Sequence, residues 1–383
     1  MNDTSPAVAA DTTHTGPQRL MSLDALRGFD MFWIIGADSL VHGLRKVSDA
    51  GIVRTLADQL DHVEWAGFHF YDLIFPLFVF LMGVSAVFSL EKHAEREGKA
   101  AAYRRLFTRS LLLYALGLFY YGGRSIGDGE PMFRYVGVLQ RIAICNLFAG
   151  LIVLNARWRG ILAWCAALLI GYWLLMTFVP FPGRGEGMAR YAEGQNLANY
   201  VDEVALPGFK WDGDGRWDPE GLLSNIPAIG SALLGALAGL ILRDGTRTNS
   251  ERLLRLIAAG VVCLALGWIW SYQFPIIKKL WSSTFVLWAG GWSFLLLAAF
   301  YAIIDVANIR RWAQPFVWIG MNCITIYMLA ELLNFPDLVR RVLHDDTLAL
   351  LGKYDELTVG VFSLMIAFWI CWQLYRRKIF LRV

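Results

Sequence analysis

The chain has 383 residues, of which 56% are hydrophobic and 17% charged, more apolar and less charged than ordinary soluble domains. Its net charge of +3 is too small to point to nucleic acid. Its five cysteines, scattered through apolar stretches without paired spacing, imply neither a disulfide framework nor a metal site. Such a composition excludes a water-soluble domain as the first reading and makes a lipid bilayer the main solvent.

Residues 1–18 are small and polar, carry no basic cluster and lead to no small-residue cleavage site behind a short apolar core. They read as a disordered cytoplasmic tail rather than a signal peptide. Apolar stretches follow near residues 23–41, 72–90, 107–121, 136–154, 161–180, 224–242, 254–273, 284–305, 315–333 and 357–375. The longer ones reach about 18 to 22 residues, the length a helix needs to cross roughly 30 Å of hydrocarbon. Lys and Arg gather in 91–109, 157–159, 243–255, 310–311 and 376–382, and the positive-inside rule places those segments in the cytoplasm. The expected fold is therefore all-α: one integral membrane domain over residues 19–383, a bundle of about ten transmembrane helices with both termini cytoplasmic. No internal repeat of fixed period is visible, which counts against transporter folds built from duplicated halves.

Ionisable groups inside apolar stretches carry the functional information, because each costs about 2.5 to 3.5 kcal/mol near the bilayer centre. The first stretch, SLDALRGFDMFWIIGADSL, holds Asp24, Arg27, Asp30 and Asp38. On an unbroken helix Arg27 and Asp38 lie within about 20° of one face and about 16 Å apart along the axis. Asp24 and Arg27 also suit a local pair three residues apart, whereas Asp38 has no local partner in the sequence. The next block, HVEWAGFHFYDLIFPLFVFLMGVS, brings His62, Glu64, Trp65, Gly67, His69 and Asp72 ahead of Pro76. An imidazole suits proton transfer at neutral pH, and His42, His62 and His69 all compete for that role.

Four longer connections fall on the opposite face, at 42–71, 122–135, 181–223 and 334–356. The third carries Phe209, Trp211, Asp212, Asp214, Trp217, Asp218 and Glu220. Tryptophan beside carboxylate stacks on and hydrogen-bonds to sugar rings, but Trp also gathers at any membrane interface, and both readings stand. Gln140 and Arg141 in RYVGVLQRIAIC, Lys278 and Lys279 in IKKLWSSTF, and Asn322 and Thr325 in WIGMNCITIYM put polar groups at the entrances of further stretches. Each serves as a packing anchor taken singly; together they favour a polar cavity. In AIGSALLGALAG the small residues Gly230, Gly235 and Gly239 give the close-packing pattern of membrane helices.

These blocks, with SLDALRGFDMFWI, GVLQRI and WDPEGLLSNIPAIGSALLGALAG, occur in one order over roughly residues 19–375. In them the chain resembles the heparan-α-glucosaminide N-acetyltransferase family and its bacterial relatives, within the transmembrane acyltransferases. The resemblance implies a multi-pass enzyme of a bacterial inner membrane that takes acetyl from cytoplasmic acetyl-CoA and passes it to a sugar on the periplasmic side, without a metal. It also suggests a homodimer. Family members use the histidine of an H-x-x-W-x-G element, here His62, Trp65 and Gly67, so the resemblance selects His62 as base or acetyl carrier. Asp38 occupies the late first-span position that is Asn in the lysosomal member, and it is expected to assist His62 or polarise the acyl carbonyl. Donor contacts are expected from Arg27, Gln140, Arg141, Lys279 and Asn322, and acceptor contacts from Trp65, Asp72, Trp217 and Glu220. Only a short tail precedes the first stretch, so recognition of long heparan chains is not carried over. The rival expectation is a proton-coupled transporter or flippase with Asp38 and His62 as its relay.

Overall fold

The computed structural model describes residues 20–124, 132–182 and 189–380; the amino-terminal tail lies outside them. Each of the ten apolar stretches falls on helix, but the helices are less regular than the sequence pattern suggests. In chain order they are α1 Met21–Phe32, α2 Asp38–Val47, α3 Gly51–Gln59, α4 Phe70–Glu97, α5 Lys99–Tyr121, α6 Val138–Asn155, α7 Trp158–Phe178 and α8 Leu197–Ala205. There follow α9 Asn225–Arg243, α10 Asn249–Ser271, α11 Ser283–Phe300, α12 Gln314–Gly320, α13 Cys323–Leu333, α14 Phe335–Leu343, α15 Asp345–Leu351 and α16 Asp355–Arg376. A two-stranded ribbon, β1 Gly123–Arg124 with β2 Met132–Phe133, joins α5 to α6.

Among the described residues seven helices are long and apolar enough to cross a membrane, and an eighth span results if the pair α12 and α13, bent by 67°, is one crossing. The two other expected spans fall short for physical reasons. α1 and α2 are separated by a π-helical turn at Trp33–Ala37, where Gly36 takes φ 123°. The break removes the continuous helix face on which Arg27 and Asp38 were expected to align, since a wider turn rotates everything after it. α5 is long, but Lys99, Arg104, Arg105 and Arg109 interrupt its apolar surface.

The protein is thus a helical, multi-pass membrane protein built around α4 and α9. In each, 78% of the most apolar window is buried within the protein, against 17% for α10, which marks α10 as a peripheral helix whose Leu254, Val261 and Trp268 face outward. The two central helices touch backbone to backbone. A Cβ at Gly83 would strike the carbonyl of Ala232, and one at Gly235 the carbonyl of Phe80, so the small residues of α9 are explained by close packing. Around this pair stand α6, α7 and α11, and the five cysteines are all buried. α1 runs against α12, again through glycine, with Gly28 on the carbonyl of Phe316 and Gly320 on that of Asp24.

Candidate active site

α4 begins at Phe70 with His69 as its N-cap, and Asp72 sits at the third helical position. A carboxylate there suits the unpaired N–H groups and the positive end of the helix dipole. Its Oδ2 accepts the His69 N–H at 3.0 Å and the Val63 N–H at 3.4 Å. That leaves Oδ1 facing His62, whose Nδ1 lies 2.8 Å away. Asp72 is 1% exposed, while the His62 side chain is 51% exposed. A buried carboxylate therefore holds an accessible imidazole. With Nδ1–H donated to Asp72, Nε2 keeps its lone pair.

The carboxylate on His62 is thus Asp72 and not Asp38. The hydroxyl of Tyr71 donates to Asp38 Oδ2 at 3.2 Å, and the Tyr71 ring packs at 4.8 Å on that of His62. Asp38 reaches the imidazole only through this tyrosine. The competing histidines are tied elsewhere: His42 pairs with Asp61 at 3.4 Å, and His69 Nδ1 lies 3.0 Å from the Asp61 carbonyl.

The loop between α10 and α11 closes the site from the other side. Ala66 and Ile277 form an antiparallel bridge, and the Gly67 N–H donates to the Ile276 carbonyl at 2.9 Å. Gly67 takes φ 133°, a conformation that side chains rarely adopt. This pairing carries Lys278 to His62, its Nζ lying 3.0 Å from Nδ1 and 3.2 Å from Nε2, and 3.4 Å from Asp72 Oδ1. Burial pushes the Lys278 ammonium below the ordinary lysine range, opposed by the charges of Asp72 and Glu220. Lys279 points the other way, to Glu193 and Asp212 at 3.1 Å each, with its ammonium over the ring of Trp217.

His62, Tyr71, Lys278 and Glu220 line a cavity of about 220 Å³ whose remaining wall is apolar, including Met31, Ile34, Phe75 and Tyr327. Glu220 is held by Arg134, whose Nη2 reaches its Oε2 at 2.6 Å and also grips Asp218 through two bonds of 2.7 and 2.8 Å. Burial raises the Glu220 carboxyl above its ordinary range, and Arg134 opposes the rise. A second cavity, of about 600 Å³, is lined by Arg27, Arg104, Arg105 and Arg109 together with His93, Ser89 and Glu97. Phe78, Ile142 and Ile324 line both. The two cavities therefore share an apolar wall, with the arginines lining one cavity and the histidine lining the other.

The other expected residues build this frame. Arg27 lines the basic cavity, donating to Ser85 at 2.6 Å and pairing with Asp24 at 3.6 Å. Arg141 is buried, donates to the Pro219 carbonyl at 3.1 Å and to Ser224, and stacks on Trp281, so it fixes the segment that bears Glu220. Gln140 donates to the Arg134 carbonyl at 3.2 Å. Asn322, at the bend between α12 and α13, donates to the Ile379 carbonyl at 3.1 Å. Trp65 donates to the Tyr191 carbonyl at 2.8 Å and meets Trp217 edge-on, and Trp217 is only 2% exposed. Two features escaped the sequence reading. Arg105 and Arg109, four apart on α5, were visible only as a topological charge cluster, and nothing in the Lys278–Lys279 pair says which lysine faces inward.

Residues 19–184 match the family model described as heparan-alpha-glucosaminide N-acetyltransferase, catalytic. The human heparan-alpha-glucosaminide N-acetyltransferase is 27% identical over 96% of this chain, and the mouse protein 26% identical over 84% of it. The chain spans 60% and 56% of the lengths of these two relatives. The resemblance read from the sequence motifs is borne out across both comparisons.

Proposed function

We propose, from that kinship with heparan-α-glucosaminide N-acetyltransferases, that this chain is a membrane-bound acetyltransferase. It moves acetyl from acetyl-CoA on the cytoplasmic side to an amino sugar, of glucosamine type, on the far side of a bacterial inner membrane. The observation that carries the reading is the pair of adjacent cavities on either side of one apolar wall. A nucleotide bearing several phosphates suits the four-arginine cavity, and a thin flexible arm that passes between the apolar side chains of the shared wall brings a thioester beside His62.

In this reading Asp72 fixes the tautomer and orientation of His62, as a carboxylate does for a catalytic imidazole. Nε2 takes the proton of the attacking amine as nitrogen bonds to the thioester carbon, and returns a proton to the departing thiolate. A covalent route, with the acetyl group carried on His62, uses the same atom. A burst of free CoA in the absence of acceptor marks the covalent route; its absence in active protein marks direct transfer. Glu220, half-neutralised by Arg134, faces the acceptor's amine.

The test is thermal unfolding of detergent-purified protein with and without acetyl-CoA, alongside transfer to glucosamine. A ligand at 100 times its Kd adds about 2.7 kcal/mol. His62→Ala is expected to keep that stabilisation and lose transfer. Wild-type protein that acetyl-CoA does not stabilise would return the case to a proton-coupled carrier.

A further inference from the structure

We infer that Lys278 is a catalytic residue that hydrogen-bonds the thioester carbonyl oxygen and stabilises the oxyanion formed as the acceptor attacks. The inference rests on the acetyl-transfer reading and adds to it a residue that the comparisons do not single out.

Three observations carry it. First, the lysine is delivered by backbone geometry: the bridge between Ala66 and Ile277, together with the Gly67 to Ile276 hydrogen bond, locks its loop against the segment bearing His62. Ser282 tightens the same loop by donating to the Pro275 carbonyl at 2.8 Å and accepting the Ile277 N–H at 3.1 Å. The backbone from which the side chain springs is therefore fixed. Second, Nζ stands within 3.2 Å of both nitrogens of His62 and 3.4 Å from Asp72. A donor one hydrogen bond from the base also lies within reach of the carbonyl oxygen whose carbon the acceptor attacks. Third, the side chain is 22% exposed and lines a cavity whose wall is mostly apolar, so its charge is partly desolvated where the reacting carbonyl would lie.

The step balances as follows. The amine nitrogen bonds to the carbonyl carbon, the π pair moves onto oxygen beside the Lys278 ammonium, and His62 takes the amine proton. Collapse of the oxyanion breaks the carbon–sulfur bond and the thiolate takes the proton from His62. Lys278 donates a hydrogen bond throughout and ends unchanged. Its arm must leave Nε2 when the acceptor engages that lone pair, and four methylenes allow the shift.

Only the protonated form can play this part, so activity falls on the alkaline side as Lys278 loses its proton. The charged and titratable groups facing it are His62, Asp72, Glu220 and Arg141. Burial places that loss below the ordinary lysine range.

The experiment compares Lys278→Met and Lys278→Arg with wild type in the full-length, detergent-purified protein, measuring kcat, KM for acetyl-CoA, the thermal shift with acetyl-CoA, and the pH profile. Loss of one oxyanion donor reduces kcat about 10²–10³-fold. Lys278→Met is expected to show that loss with KM and thermal shift unchanged. Lys278→Arg should recover part of the rate and move the alkaline limb to higher pH. A Met variant within a few-fold of wild type overturns the role, as does an alkaline limb that stays in place in the Arg variant. Loss of the acetyl-CoA thermal shift in Lys278→Met makes the lysine a donor-binding or structural group and overturns it too. Wild-type protein that binds acetyl-CoA but acetylates no amine or hydroxyl acceptor overturns the underlying transferase reading, and this role falls with it.

Discussion

Asp72 and Asp38 differ in what they touch, and that difference sets their expected weights. Asp72 is buried, holds two backbone N–H groups and bonds His62 directly. Among the described residues Asp38 bonds to the Tyr71 hydroxyl and the neighbouring Ser39 hydroxyl. Asp72→Asn keeps the volume but offers an amide where an anion held the imidazole, so the transfer rate is expected to fall about a hundredfold or more. Asp38→Asn retains an acceptor for the Tyr71 hydroxyl and should cost less than about tenfold. Steady-state rates for the two variants check the order; equal losses would mean that Asp38 does more than hold a tyrosine. The sequence singled out both carboxylates, because charged groups in apolar surroundings stand out, whereas His62 was chosen over His42 and His69 only by the family resemblance. It could not say which carboxylate meets the histidine, since that depends on how α4 begins rather than on spacing along α1.

At the scale of elements, backbone proximity explains most of the glycine pattern. α4 and α9 cross with Gly83 and Gly235 each under a carbonyl of the partner helix. Gly235→Leu forces that contact apart, and overpacking of this kind costs about 1–3 kcal/mol. A fall in the detergent melting temperature is expected, whereas Gly171→Leu, with open space at its Cβ, should leave it nearly unchanged. The π turn between α1 and α2 is the element that the sequence hid most completely. Its apolar run reads as one span, and the lone Gly36 is no stronger a signal than the glycines that merely pack. What breaks the helix is a conformation at φ 123° which only glycine adopts easily. The bend at Asn322 is similar, with two short helices posing as one apolar stretch.

Over the whole molecule the long loops around α8 act as one frame behind Glu220. Asp202 of α8 accepts the Leu222 N–H at 2.9 Å and the Asp218 N–H at 3.4 Å, bracketing the segment that Arg134 and Arg141 also hold. Burial pushes the Asp202 carboxyl up to about 7, against those same hydrogen bonds. Its ordinary value is 3.8, so between about pH 4 and pH 7 the folded state binds a proton that the unfolded chain has released. Stability from this group is full below about pH 4 and is lost as pH rises through about 7. Unfolding measured across that window should show wild type losing stability relative to Asp202→Asn, which has no proton to lose. Parallel profiles for the two proteins would rule the carboxyl out as the source.

Composition and periodicity by themselves determined that the chain is helical and membrane-embedded, because a bilayer imposes length and apolarity on anything that crosses it. The H-x-x-W-x-G block points to His62 only through the family resemblance, and its part in acetyl transfer is a proposal. Tertiary structure alone decided that Asp72 meets His62, that Lys278 rather than Lys279 turns inward, and that the arginines of α5 join Arg27 around a second cavity. Those outcomes depend on the start of α4, on a bridge between loops 211 residues apart in sequence at Ala66 and Ile277, and on helix crossings set by glycine. Long-range pairings of this kind leave no periodic trace in a sequence, since each is fixed by the packing of elements that are individually ordinary.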